Sequence, residues 1–357
     1  LRNHNDAQMD VISYAVAKGV GFIVKDPFPL NNTQDIITSR RKTIDTFLLL
    51  EPLMFFLNPS LKEIPFQDLK IPVDTTDGAT VPIRIYNHQS SDSKPKRKVL
   101  IYFHGGGWVV GSLIQCHFLA LQLVQLTDYV VINADYRLAP EYIFPTAAND
   151  AYEVLQWTIN NIGQYGGDNT SIVVSGGSVG GNLALAITSK HLIHRAKEIC
   201  HQSTFINDTS SLTCPALLQK EEKGERWHEI VGVWASCPTV NGTSTSAHSL
   251  KYANLSATLT LQGMEWFRRL YQGSDDIKDE IRNHYLFSPI NTPQAILDVY
   301  PPSMFTLARY DTLAPEAVEF SEKLKRSNRV TKIDVYNTVH GFTSFHPKLG
   351  DKALKVA

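Results

Sequence analysis

The stretch Gly176-Gly177-Ser178-Val179-Gly180 sets one serine between glycines two positions before and two positions after it. A serine hydroxyl is a weak nucleophile unless a base removes its proton and a third group steadies that base. Ser178 follows the apolar run Ser171–Ser175 and precedes a helical pattern beginning near Gly180. That context predicts a sharp strand–turn–helix with the serine at its tip. Such a turn crowds its neighbours, and glycines at 176 and 180 relieve the crowding, while Gly181 lets the helix approach the sheet. A helix N-terminus beneath the serine would favour developing negative charge. The competing reading is a glycine-rich turn in which Ser178 only caps the helix.

Partners for Ser178 stand later in the chain. Asp311 follows the apolar run Ser303–Ala308, and His340 follows Thr331–Tyr336. The order Ser178, Asp311, His340, each just after a strand, predicts that all three meet at one edge of a parallel sheet. The plainer readings are a helix-capping Asp311 and a structural His340 among twelve histidines. Asp334 and His346 are fallback candidates; Asp334 lies within a strand pattern and His346 downstream of the loop. Attack on a carbonyl also needs donors aimed at the oxygen that becomes charged. Three glycines in His104-Gly105-Gly106-Gly107-Trp108 follow the run Lys98–Phe103, and the N–H groups of Gly106, Gly107 and Val179 form a candidate oxyanion hole. A phosphate-binding loop is the rival reading, but its Gly-Lys-Ser/Thr ending is absent.

The elements that must hold these residues follow from hydrophobic period. Val81–Asn87 alternates like a half-buried strand, whereas Lys98–Phe103, Tyr129–Ala134 and Ile230–Ser236 are continuous apolar runs suited to strands covered on both faces. Helical patterns at Phe118–Leu126, Ala147–Ile162, Asn182–Ile193 and Pro315–Ser327 lie between strands. The alternation predicts an α/β fold with a mostly parallel central sheet flanked by helices. Two regions break it: residues 1–65 look helical without strand partners, and Leu259–Gly273 within 241–287 has a heavy aromatic face. Together they are expected to form a helical cap over a core of residues 66–240 and 288–357, whose first segment carries a polar insertion at 200–226. Candidate pocket walls are Phe55, Phe56, Trp108, Trp266, Phe267, Tyr271 and Phe342, for which ordinary core packing is the alternative use.

Four motifs occur in order: HGGGW (His104–Trp108), DYRLAPE (Asp135–Glu141), GGSVG (Gly176–Gly180) and HGF (His340–Phe342). This pattern, over roughly Lys70 to the C-terminus, resembles the hormone-sensitive-lipase-like, or family IV, serine esterases of the α/β-hydrolase superfamily. The resemblance implies the α/β-hydrolase fold with a helical cap, and hydrolysis of a small to medium, partly apolar carboxylic ester through an acyl-serine. It implies Ser178, Asp311 and His340 as catalytic triad, Gly106, Gly107 and Val179 as oxyanion donors, and no metal or organic cofactor. Two departures stand out. Gly177 replaces the family's usual aspartate, without an evident role, and Val179 replaces an alanine, narrowing the acyl side. The same triad could serve transacylation, lactone opening, cyclisation or elimination in a biosynthetic step. A ligand receptor on this fold is disfavoured by the complete triad.

A net charge of −1 with no long basic run offers nothing for nucleic acid. No stretch approaches the roughly 18 apolar residues of a membrane span, so the expected partner is a small-molecule ester, without stable membrane insertion; homodimer formation is left open. Four cysteines, Cys116, Cys200, Cys214 and Cys237, make no disulfide framework for 357 residues, although Cys200 and Cys214 could pair. His191, His194 and Cys200 match no metal-binding spacing. The expectation is a cytoplasmic protein, with secretion not excluded because a chain beginning at Leu1 can lack its true N-terminus.

Overall fold

A computed structural model describes residues 33–73, 78–87, 95–200, 220, 223–225, 227–243, 259–327, 329 and 331–344. Among these residues, eight strands form one sheet: β1 (Phe66–Pro72), β2 (Thr80–Tyr86), β3 (Arg97–Phe103), β4 (Val130–Ala134), β5 (Gly167–Gly177), β6 (Ile230–Ser236), β7 (Ser303–Tyr310) and β8 (Thr331–Val339). Their order is β1-β2-β4-β3-β5-β6-β7-β8. The β1–β2 and β2–β4 pairs are antiparallel, and every pair from β4 to β8 is parallel. The sheet is the mostly parallel one that the alternation of strand and helix requires. β1 has no apolar run to announce it. It is an edge strand with most residues exposed, so packing places few demands on its sequence.

Helices α1 (Thr33–Leu57), α2 (His117–Thr127), α3 (Thr146–Asn161), α4 (Val179–Cys200), α5 (Leu261–Gln272) and α6 (Ala314–Arg326) accompany the sheet. All five residues of β4 are buried, as are Val99, Leu100, Ile101, Tyr102 and Phe103 of β3. Fully burying each such aliphatic or aromatic side chain contributes about 1.5–3 kcal/mol, so the strands beside the candidate site are its firmest support. α4 runs to Cys200, further than the periodicity predicted, and takes in the first residue of the expected insertion. Residues 201–219, including Cys214, lie outside the described residues, as do 1–32, 244–258 and His346.

Loops at the carboxyl ends of β3 and β4 are tied together. Tyr136 donates its hydroxyl to the His104 carbonyl at 2.8 Å and stacks on the His104 ring. The Ala139 N–H reaches the Trp108 carbonyl at 2.8 Å. Arg40 of α1 adds a clamp. Its Nε donates to the Val109 carbonyl at 2.6 Å, Nη2 donates to the Ala139 carbonyl, and both terminal nitrogens meet the Glu141 carboxylate at 2.6 and 2.9 Å. One planar guanidinium thus joins an outlying helix to two loops, a geometry that lysine could not reproduce.

Arg40→Ala is expected to lower unfolding free energy by about 1–2 kcal/mol in urea titrations, since several donor contacts go at once. Glu141→Gln should cost under about 1 kcal/mol, because the pair is partly exposed and the carbonyl contacts remain. Equal losses would mean that the ion pair alone holds the helix.

Candidate active site

β5 ends at Gly177 and α4 begins at Val179, leaving Ser178 alone between them with φ of 57°. This left-handed conformation is strained for a residue with a Cβ. Two hydrogen bonds fix it: the Ser178 N–H donates to the Ser236 carbonyl at 2.8 Å, and the Ser178 carbonyl accepts from the Asn182 N–H at 3.1 Å. The glycine requirement at 180 is steric, because a Cβ there would overlap the Phe103 carbonyl at the end of β3. A Cβ on Gly176 would overlap the Gly180 backbone. Gly177, which had no role on sequence grounds, gains a physical one. A Cβ at that position would lie 2.9 Å from the hydroxyl of buried Tyr102, so that phenol fills the space beside the serine.

The three side chains predicted from chain order meet. His340 Nε2 lies 2.9 Å from Ser178 Oγ, and His340 Nδ1 lies 2.8 Å from Asp311 Oδ2. The tautomer with its proton on Nδ1 satisfies both contacts, donating to the carboxylate and accepting from the hydroxyl. Asp311 is fully buried, and its Oδ1 also accepts the Leu313 N–H at 2.9 Å. The fallback residue Asp334 sits within β8, beside Lys332 at 3.3 Å. Asp311, His340 and the buried thiol Cys237 have ligand atoms within 4.8 Å of one another, the one such group among the described residues. Asp311 and His340 are already bonded to each other there, and the thiol is held protonated, well above its usual range, first by burial and then by the Asp311 charge.

Gly106 and Gly107 adopt φ of 120° and 65°, so the loop turns where only glycine is comfortable. Neither of their N–H groups finds an acceptor among the described residues, while the Gly106 carbonyl accepts from Val109 and Val110. Phe267 of α5 lies directly over Gly107, where a Cβ would strike its ring. The cavity beside Ser178 has a volume of about 30 Å³ and is bounded by Gly107, Trp108, Val179, Met264, Phe267 and Leu313, with Thr239 and Arg268 as polar walls. A larger depression of about 280 Å³ lies by Trp227, His228, Pro301 and Pro302, before β6 and β7 at the opposite end of the strands; its described lining holds no nucleophile–base pair.

Among the expected pocket walls, Trp108 and Phe267 line the cavity. The others are placed elsewhere. Phe56 is 79% exposed. Phe55 packs on Phe118 and His117 behind the sheet. Tyr271 is buried under Trp108, stacked at 4.5 Å, and Trp266 packs edge-on against Phe267. Phe342 is buried against Tyr336 and Cys237. An aromatic residue on a helix can face core, cavity or solvent, and composition does not distinguish these. Sequence reasoning missed Thr239, Met264, Arg268 and Leu313. Of these, Met264 and Arg268 had a signal, because the buried positions 264, 267, 268 and 271 follow the helical repeat of α5.

Residues 100–344 match the model of a family described by the α/β-hydrolase fold. Arylacetamide deacetylase of Oryctolagus cuniculus is 27% identical over 328 residues, which covers 80% of this chain and 79% of that protein. Ethyl acetate hydrolase of Pseudomonas putida is 35% identical over 140 residues, covering 39% and 44% of the two chains. The solved structure of EstE1, a thermostable carboxylesterase cloned from a metagenomic library, superposes with a TM-score of 0.68 at 27% identity, covering 90% of this chain and 94% of its own. The chain therefore belongs to the α/β-hydrolase family, in its hormone-sensitive-lipase-like branch, and is a hydrolase of the carboxylesterase type. Among the described residues, no helix is long and apolar enough to cross a membrane.

One wall of the cavity is electrostatically costly. Arg268 donates Nη2 to the Asn241 carbonyl at 2.7 Å and stands 3.8 Å from Glu316 Oε2. Glu316 Oε1 accepts from the N–H groups of Val240 and Asn241. Desolvation outweighs the attraction of Arg268 and pushes the Glu316 carboxyl up to about 7. Desolvation likewise draws the Arg268 guanidinium below its usual value. Because the folded carboxyl holds its proton more tightly than the unfolded one, its effect on stability falls as pH rises from about 4.5 to about 7 and levels off above. Urea titrations at pH 5 and pH 7.5 should therefore show wild type losing about 2 kcal/mol more than Glu316→Gln across that window. Parallel profiles would mean that Glu316 is ionised in both states.

Proposed function

We propose that this chain is a serine carboxylesterase that hydrolyses esters of small acyl groups through an acyl-serine intermediate. The hydrogen-bonded series Ser178–His340–Asp311 carries the reading. His340 Nε2 takes the Ser178 proton as Oγ forms a bond to the ester carbonyl carbon, and the carbonyl electron pair moves to oxygen. N–H groups of Gly106, Gly107 and Val179 are the donors we assign to that oxygen. Collapse breaks the bond to the alcohol oxygen, which receives the proton from His340. Water, activated by the same histidine, then releases the acid and restores Ser178. Asp311, buried and twice hydrogen-bonded, keeps the imidazole in the tautomer that accepts the serine proton.

A narrow cavity of about 30 Å³ beside Ser178 supports a short acyl chain. The ethyl acetate hydrolase relative, by its name, acts on an acetyl ester, which accords with this size. We further read residues 66–240 with 288–357 as the catalytic core and 1–65 with 241–287 as a helical cap. The Phe267 ring over Gly107 and the Trp108–Tyr271 stack support that division.

On p-nitrophenyl acetate, Ser178→Ala should lower kcat by about a thousandfold or more, and a fluorophosphonate should label wild type at Ser178. Wild-type turnover no faster than that of Ser178→Ala would sink the reading. Val179, 3% exposed, borders the cavity. Val179→Ala keeps the N–H but removes two methyl groups, so the butyrate-to-acetate ratio of kcat/KM should rise about tenfold. An unchanged chain-length profile would remove Val179 as the limit on acyl size.

A further inference from the structure

The carboxyl end of β6 touches the carriers of all three triad residues. The Ser236 carbonyl accepts the Ser178 N–H at 2.8 Å, and the Ser236 hydroxyl meets Thr343 Oγ1, three residues past His340, at 3.0 Å. The next residue, Cys237, donates its N–H to the Thr306 carbonyl of β7 at 2.8 Å and is 1% exposed. Its φ of 45° lies in the left-handed region that a residue with a Cβ avoids. Held this way, Cys237 brings its sulfur within 4.8 Å of both the Asp311 carboxylate and the His340 ring.

We propose that Cys237 is a positioning residue of the triad, its S–H donated to the Asp311 carboxylate so that this carboxylate stays aimed at His340 Nδ1. The inference rests on the triad reading above and adds a fourth side chain to it. Asp311 is fully buried, away from bulk solvent. A third donor would offset more of this buried carboxylate's desolvation than Leu313 and His340 do alone. The thiol has a proton to give, since burial and the Asp311 charge keep it from ionising. Cys237 packs with Ala308 of β7 and with Phe342, two residues past His340. The sulfur is thus placed between the loop carrying the base and the strand carrying the acid. Among these neighbours and Tyr336, the Asp311 carboxylate lies within 4.8 Å of the sulfur as an acceptor for S–H.

The test compares Cys237→Ser, which keeps a donor, with Cys237→Val and Cys237→Ala, which do not. Steady-state hydrolysis of p-nitrophenyl acetate is measured with wild type and Ser178→Ala alongside, together with thermal midpoints. The expected result is kcat within about threefold of wild type for Cys237→Ser. For Val and Ala the expectation is a fall of about tenfold, with KM unchanged within about twofold. Fluorophosphonate labelling of Ser178 should slow in the same order. Equal kcat in the Ser and Val variants would reduce the thiol to a packing group and overturn the proposal. Should Cys237→Val fail to fold, equality of the Ser and Ala variants overturns it in the same way. If wild type itself is no faster than Ser178→Ala, the triad reading fails and this inference falls with it. If wild type is active and the donor-free variants match it, only the role of Cys237 is lost.

Discussion

The carbonyl oxygen of Phe103, at the end of β3, lies so close to Gly180 that a single methyl group could not pass between them. This contact between a strand end and the first turn of α4 sets the height of the serine above the sheet. Because β3 and β5 are hydrogen-bonded neighbours, with Phe103 opposite Gly176, the loop of glycines after β3 and the serine after β5 emerge side by side. A bulkier residue at 176 or 180 would separate the strand from the helix and carry the hydroxyl away from the loop. The strain at Ser178 is affordable only because rigid, fully covered strands stand on either side.

Around that contact the protein gathers groups that would be unstable alone. Asp311 is a charge without solvent, accepting from Leu313 and His340. Glu316 and Arg268 share the next layer, close enough to feel each other and too far apart for a hydrogen bond. Burial works against ionisation of Glu316 and Arg268. The difference lies in the donors. The Asp311 carboxylate has partners on both oxygens, whereas one oxygen of Glu316 has no hydrogen-bond partner among the described residues. The carboxylate near the serine is thus the better satisfied of the two, and the carboxyl behind it holds its proton more tightly than an exposed one.

The outer elements are fastened by polar clamps of a different kind. Arg40 reaches three acceptors on two loops, and Arg282 makes a two-pronged contact with Glu265 of α5 at 2.9 and 2.7 Å. α5 in turn lays Phe267 over Gly107 and Tyr271 under Trp108. The small size of the cavity follows from these placements, since the helix and the glycine loop approach without an intervening side chain.

The α/β architecture, the strand-to-helix turn at Ser178 and the partnership of Asp311 and His340 were legible in the sequence. Each depends on local spacing or on chain order, and chain order determines which side chains stand after successive parallel strands. Most strands were located within a few residues because full burial demands apolar runs; β1 escaped notice because an exposed edge demands none. The cavity walls were decided by tertiary structure alone. Phe56 turns to solvent and Phe55 packs behind the sheet, while Thr239, Arg268 and Leu313 converge from three separate segments. The meaning of Gly177 and the neighbourhood of Cys237 emerged only there too. The first depends on a phenol hydroxyl of another strand, and the second on a thiol and a carboxylate 74 positions apart in the numbering. Such contacts arise from packing between distant segments, where no periodicity within one segment carries the information.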